Sequence, residues 1–418
     1  MKKNVILAQS GGPTAVINSS IVGAFDAAKK SGKVDRIYAA VGGIEGVLKE
    51  QLIDLTALSD AEIRMLRFTP SAGLFSCRHV MPTDSSHPEY QRVFDVFEAH
   101  NVGYFFYNGG NDSMDTACKL NQYAQEHGLD VLVNGIPKTI DNDLYGTDHC
   151  PGFGSAAKIL NITLQEAAYD TYSYPNSKTV ILMETMGRNA GWLAASASLA
   201  EYQGKQIADF IYLPETTFDL NAFTESIAKA LSQQTMVFAV ISEGVRNADG
   251  TPYFSSSKNT QDQFGHHQLG GLCHALAGHL KENVIKRVKT VNLDIAQRCA
   301  SHMMSRVDFE EAYEAGKMAV NFALDGVSGV MSAFERLHNA PYAARIIPAL
   351  LKDAANTEKV IPRAWINEAG NNVTEDLKRY VRPLIMGEVN VPFSGGLPAY
   401  VALNQVPVEK KLPDFQGK

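Results

Sequence analysis

Val131-Leu132-Val133-Asn134-Gly135-Ile136-Pro137-Lys138-Thr139-Ile140-Asp141-Asn142-Asp143 decides the fold. The apolar start reads as a buried strand, and the polar end reads as a loop leaving it. A second stretch repeats the pattern upstream: Tyr104-Phe105-Phe106-Tyr107 leads into Gly109-Gly110-Asn111-Asp112-Ser113. Two polar loops at the carboxyl ends of two strands mark a site, because that edge of an open α/β sheet is where ligands bind. Their contents suit phosphoryl transfer. A carboxylate can take a hydroxyl proton, carboxylates or amides can hold Mg²⁺, and a cation can meet phosphoryl oxygens.

Outward from these loops, strands alternate with helical segments. Asn4–Ala8 reads as a strand, Gln9–Thr14 as a turn and Val16–Lys29 as a helix. Backbone N–H groups at such a glycine turn can bind phosphate, although the same turn is also the ordinary connection between a strand and a helix. It matches neither standard nucleotide fingerprint. Ile37–Val41 reads as another strand, and Thr69–Pro88 is polar, turn-rich and carries Arg78. Thr179–Met183 begins a second series, followed by Met186-Gly187-Arg188, and Met236–Ile241 delivers Ser242-Glu243-Gly244. Glu310–Leu324 reads as a helix, and the proline-rich tail from Pro392 is expected to wrap the surface. The pattern predicts an α/β chain of two doubly wound, mainly parallel-sheet domains.

Composition excludes other classes. A formal net charge of −7 argues against a nucleic-acid binder, yet leaves room for a local basic pocket. Five scattered cysteines without a CxxC pair fit a reducing cytoplasm and argue against a structural zinc site. No apolar run is long enough to span a membrane. His266, His267, His274 and His279 match no metal-binding spacing. Asp141 and Asp143 could, on their own, cap a turn, and Arg188 and Arg298 could be ordinary surface or ion-pairing residues. Trp192, directly after a glycine, reads as packing.

In these motifs and their order, over roughly residues 4 to 310, the chain resembles the phosphofructokinase family, most closely its pyrophosphate-dependent branch. The resemblance rests on Ser10-Gly11-Gly12, Arg78, Gly109–Ser113, Pro137–Asp143, Met186-Gly187-Arg188, Ser242-Glu243-Gly244 and Gln297-Arg298. It implies an active site in a cleft between two domains. Residues 1–150 with about 297–345 would bind the phosphoryl donor; residues 151–296 with about 346–418 would bind the sugar phosphate. It implies Asp141 as the base for the 1-hydroxyl of fructose 6-phosphate, with Lys138, Asp112 and Arg188 in the catalytic group. Thr139, Ile140, Asp143, Met186, Gly187 and Glu243 would contact the sugar phosphate, and Arg298 its 6-phosphate. Gly11, Gly12, Arg78 and Ser113 would lie along the donor, with Mg²⁺ near Asn111.

The resemblance also carries the choice of donor. ATP-dependent relatives have glycine where Asp112 and Lys138 stand. A carboxylate at Asp112 would repel the α-phosphate of ATP and fill its space. The departures lie mostly on the sugar side. Asn111 stands where the family often has Asp and could ligate a metal only through a neutral oxygen. Leu293–Arg298 lacks the family's histidine sugar contact. Thr179, with Lys178 beside it, and Lys289 stand where relatives place arginines that reach a neighbouring subunit's site. An ATP-dependent enzyme, a catalytically silent sugar-phosphate binder and an NAD-kinase-like enzyme are the competing readings. The expected partners are fructose 6-phosphate and pyrophosphate in a homodimer or homotetramer, with no nucleic acid and no membrane.

Overall fold

The structure is a computed structural model and describes residues 2–254, 270–355 and 357–416. Its larger sheet is built on β1 (Lys3–Gln9), β2 (Val34–Ala40), β3 (Leu52–Asp54), β4 (Val102–Gly109) and β5 (Leu132–Pro137). The strands Val330–Asn339 and Tyr342–Leu350 extend it beyond β5, giving seven strands. β2, β1, β4, β5 and Val330–Asn339 run parallel, and an antiparallel strand closes each edge. Val5, Ile6, Leu7 and Ala8 of β1 are fully buried, as expected of a central strand covered on both faces.

The smaller sheet has four parallel strands ordered Val288–Asn292, Thr179–Thr185, Met236–Ser242 and Phe210–Tyr212. The expected strands and helices therefore form, with ends shifted by a few residues. Examples are Ile17–Ser31 for the first helix and Arg306–Leu324 for the late one.

The helix Arg306–Leu324 packs on Ile17–Ser31 at a distance that only glycine permits. A Cβ at Gly23 would lie 1.9 Å from the Tyr313 carbonyl oxygen, and one at Gly316 would lie 1.8 Å from that of Ser20. This packing brings the late helix back onto the first lobe.

The sequence division placed residues 346–418 with the second lobe, and the structure moves two parts of that segment. Val330 pairs with Leu350, so the hairpin register carries Ile346–Leu350 into the larger sheet. The tail then runs along β3, with Val408 N–H donating to Leu52 O and Asp54 N–H to Val406 O. Val408, Leu412 and Phe415 pack against the first lobe's core. Residues such as Ile361, Ile366, Leu377 and Tyr380 do join the second lobe's core. The tail thus wraps the surface as expected, but the larger lobe's surface. No described helix is long and apolar enough to cross a membrane.

Candidate active site

The carboxyl ends of the parallel strands from both lobes face a cleft of about 360 Å³. From the first lobe, the turn after β1 is braced on two sides. Gly11 lies in the left-handed region at φ +77°, which favours glycine. Its N–H donates to Cys77 O (3.0 Å), and its carbonyl accepts from Ser76 Oγ (2.7 Å). That pairing fixes the segment carrying Arg78. Ser113 Oγ donates to Ser10 Oγ (2.9 Å), tying the β1 turn to the loop after β4. Asn111 and Asp112 open the helix Asn111–Glu126, so the Asp112 carboxylate sits at the positive end of the helix dipole.

After β5, Lys138 turns back under the glycine turn, and its Nζ donates to Gly12 O at 2.7 Å. Burial depresses the Lys138 ammonium to about 8 despite the attraction of Asp141 and Asp143. Thr139 Oγ1 accepts from Asp141 N–H (3.1 Å), which shapes the turn that presents Asp141. Burial raises the Asp141 carboxyl, and Glu243 and Glu358 raise it further, against Arg188 and Lys138. Asp143 is raised by burial, by Asp141 and by Glu358.

Asn111 Nδ2 donates to Asp143 Oδ2 (3.0 Å), while Asn111 Oδ1 is buried without a partner among the described residues. An orphaned carbonyl oxygen beside a crowded carboxylate is a donor set suited to a hard cation. No group of three or more His, Cys, Asp or Glu among the described residues could hold a metal alone. A cation here would need further oxygens from a ligand.

The second lobe supplies the opposite wall. Met186 N–H donates to Gln297 Oε1 (2.9 Å), and Glu243 N–H to Thr185 O (2.9 Å). Ser242 Oγ donates to Gly187 O (2.6 Å), which fixes the turn that carries Arg188. Burial, with Glu184 nearby, pushes Glu243 up to about 7. Arg298, on the short helix Ala296–Cys299, reaches across towards the glycine turn. Its Nη1 would meet a Cβ at Gly12 at 3.3 Å. Arg298 therefore stands at the junction of the two halves.

The cleft gathers Gly11, Gly12, Arg78, Asn111, Asp112, Ser113, Lys138, Thr139, Ile140, Asp141, Asp143, Met186, Arg188, Glu243 and Arg298. Gly187 shapes its wall from behind. Lys178 and Lys289 are not brought there. They lie at the amino ends of their strands, far from the carboxyl-end cleft. Lys178 Nζ donates to Leu231 O (2.7 Å), and Lys289 pairs with Asp170 (2.9 Å).

Two polar lining residues escaped the sequence reading: Glu358 and Asn189, joined by an Asn189 Nδ2 to Glu358 Oε1 bond of 2.5 Å. Asn189 follows Arg188 directly and could have been included. Thr357-Glu358-Lys359 carries no motif. His266 and His267 lie outside the described residues, whereas His279 is bonded to Thr224 at 3.0 Å. Trp192 is a packing residue, buried against Trp365 and Tyr380.

A base-like carboxylate, clustered cations and glycine turns between two parallel sheets define a phosphotransferase that acts on a hydroxyl acceptor. The phosphofructokinase family pattern matches residues 4–323. A pyrophosphate–fructose 6-phosphate 1-phosphotransferase of Methylococcus capsulatus is 42% identical over 413 residues, covering 98% of each chain. Crystal structures of pyrophosphate-dependent phosphofructokinases are similar throughout. That from Nitrosospira multiformis has a TM-score of 0.90 at 40% identity and covers 100% of both chains. That from Marinobacter aquaeolei has a TM-score of 0.89 at 39% identity and covers 99% of each. The chain belongs to the phosphofructokinase family.

Proposed function

We propose that this chain reversibly transfers a phosphoryl group from pyrophosphate to the 1-hydroxyl of fructose 6-phosphate, giving fructose 1,6-bisphosphate and phosphate. It would act as a glycolytic or gluconeogenic enzyme of the cytoplasm. The observation that carries the donor assignment is Lys138: its ammonium is buried in the cleft under the glycine turn, 2.7 Å from Gly12 O. There it faces a donor's phosphoryl oxygens, with Asp112 standing against a nucleotide.

Asp141 takes the proton of the 1-hydroxyl as its oxygen bonds to the transferring phosphorus. Its raised affinity for a proton brings it towards the range where general bases work best. The bond from that phosphorus to the bridging oxygen breaks, and phosphate leaves. Lys138, Arg78 and Arg188 offset charge on the oxygens during transfer. Asn111 and Asp143 would hold Mg²⁺, which supplies charge neutralisation to the phosphoryl oxygens when bound. Met186, Gly187, Arg188, Glu243 and Arg298 hold the sugar phosphate, with Thr139 and Ile140 at its reacting end.

On this reading the first lobe is the donor side and the second the sugar side. Lys178 and Lys289 could then serve only a neighbour's site in a homodimer or homotetramer. The deciding experiment measures turnover of fructose 6-phosphate with Mg²⁺ and either pyrophosphate or ATP. Activity with pyrophosphate is expected; a preference for ATP would overturn the donor assignment.

A further inference from the structure

The segment beyond residue 323, outside the family match, reaches back to the loop that carries Asp141. Asn142 lies between the two cleft carboxylates in the left-handed region, at φ +56°. Its side chain points away from the cleft and is fully buried. Asn142 Nδ2 donates to Tyr380 Oη (2.8 Å), and Asn142 Oδ1 accepts from Cys150 N–H (2.9 Å). Tyr380 Oη in turn donates to Asp148 O (2.6 Å). Lys359 Nζ donates to the same carbonyl (2.6 Å), and Lys359 N–H donates to Asp143 O (2.7 Å).

Tyr380 is itself held in the second lobe, 6% exposed, between Trp192 and Trp365 and under Arg336. Trp192 Nε1 donates to Lys359 O (2.9 Å), so the same lobe also fixes the strap around Lys359. Asparagine enters the left-handed region more readily than other non-glycine residues, and what its surroundings fix is the direction of its side chain. Here two buried hydrogen bonds fix it. Because Asn142 is turned inward, its neighbours Asp141 and Asp143 both face the cleft.

We infer that Tyr380 and Lys359 are positioning residues: they pin Asn142 and its loop from the second lobe and so aim Asp141 at the acceptor hydroxyl. The inference deepens the reading of Asp141 as the base and rests on it. It also ties the aim of the base to the contact between the lobes, because Tyr380 belongs to the core of the second lobe.

The test uses the full-length enzyme with pyrophosphate as donor. Tyr380→Phe keeps the ring and removes one hydroxyl; Asn142→Gly keeps the backbone freedom and removes the amide. Each is expected to lower kcat about 5- to 30-fold while KM for both substrates stays within about twofold, since small misplacements of a base tell on the rate. The double variant should be slowed by clearly less than the product of the two single effects, because both remove the Asn142–Tyr380 bond. In an Asp141→Asn background, Tyr380→Phe should have no further effect on the residual rate.

A merely structural tyrosine would lower the unfolding midpoint and leave kcat within twofold. That result, or an undiminished effect in the Asp141→Asn background, overturns the inference. If Asp141→Asn itself keeps normal turnover, the base assignment has failed instead, which separates the two. Should Tyr380→Phe not fold, Lys359→Met reads the same quantity with the same criteria.

Discussion

The loop from Lys138 to Cys150 has two faces that differ in how well their polar groups are served. On the cleft face, Lys138 is driven down and Asp141 and Asp143 are driven up by burial. Asn111 Oδ1 beside them has no partner among the described residues. On the rear face, Arg336 bonds the Asp148 carboxylate through Nε (3.0 Å) and Nη2 (2.8 Å). His149 joins Asp148 (2.8 Å) to Glu311 (2.7 Å). The rear face is stable as it stands, whereas the cleft face holds groups whose cost a bound phosphate and cation would relieve. Changes on the cleft face should therefore act on rate or affinity, and changes in the rear-face ion pairs of Asp148, His149 and Glu311 on stability.

The largest break in this contrast should come from Asp141→Asn. It removes the proton acceptor while keeping size and hydrogen bonding. A fall in kcat of about 10²–10⁴-fold is expected, with sugar-phosphate binding and the unfolding midpoint nearly unchanged. Steady-state kinetics and a thermal scan on one preparation check both halves. Near-normal kcat would sink the base assignment.

Arg298→Ala comes next. Charge-assisted bonds to a dianion are worth roughly 1.5–3 kcal/mol each, so KM for fructose 6-phosphate should rise about 10- to 150-fold. KM for pyrophosphate should change far less. Since Arg298 also lies against Gly12, the two constants must be measured together. A larger effect on pyrophosphate would assign the guanidinium to the donor.

A loss of at least tenfold in pyrophosphate-dependent kcat is expected for Lys138→Gly, from one charge-assisted contact. The wild type should also show an alkaline limb. Lys138 is charged below about 8 and loses its proton as pH rises through that value. Its kcat/KM for pyrophosphate should therefore fall there, and Lys138→Gly should lack that limb. Asp112→Gly should let ATP bind measurably while weakening pyrophosphate turnover. An Asp112→Gly enzyme that gains no ATP binding would break the donor argument.

The cleft face was legible in the sequence and the rear face was not, for a physical reason. Residues just after the carboxyl ends of parallel strands converge whatever the rest of the chain does. Asn111, Lys138, Arg188 and Glu243 could therefore be set just after strands from local pattern, as could the sheets that carry them, while the roles of Arg188 and Glu243 came from the family resemblance. The partners of the rear face come from far along the chain: Tyr380 is 238 positions from Asn142, and Glu311 is 162 from His149. A single buried tyrosine or glutamate carries no spacing that announces such a contact. Lys178 and Lys289 illustrate the converse. Their places in the motif order suggested phosphate ligands, but Lys178 precedes its strand and Lys289 is the second residue of its own, and that end of a parallel sheet faces away from the cleft.

Glu311→Gln should give the smallest effect, and it tests the rear face by itself. Burial alone would lower the His149 imidazolium, but Glu311 and Asp148 outweigh it and hold the group at about 9, above its ordinary 6.5. A raised histidine contributes stability that is fully present below pH 6.5 and is lost as pH rises through about 9. Asp148 behaves in the opposite sense. Burial would raise it, but His149 and Arg336 bring it down to about 2. Its contribution is present above 3.8 and is lost only as pH falls through about 2. Between about pH 4 and 6.5 both contributions are therefore in place. Glutamine can still accept the Tyr342 hydroxyl, which lies 2.6 Å from Glu311 Oε1. Its other terminal atom is then an N–H donor facing His149 Nε2, so both the charge and the acceptor that favour the imidazolium are lost. A deficit of about 1 kcal/mol is expected near pH 6, with kcat within twofold of wild type. That deficit should close above about pH 9, where the histidine is neutral in both proteins. Urea unfolding midpoints at pH 6, 8 and 9.5 give the curve. A deficit that does not vary with pH would mean that Glu311 acts by packing alone. A fall in kcat matching that of Asp141→Asn would erase the distinction between the two faces.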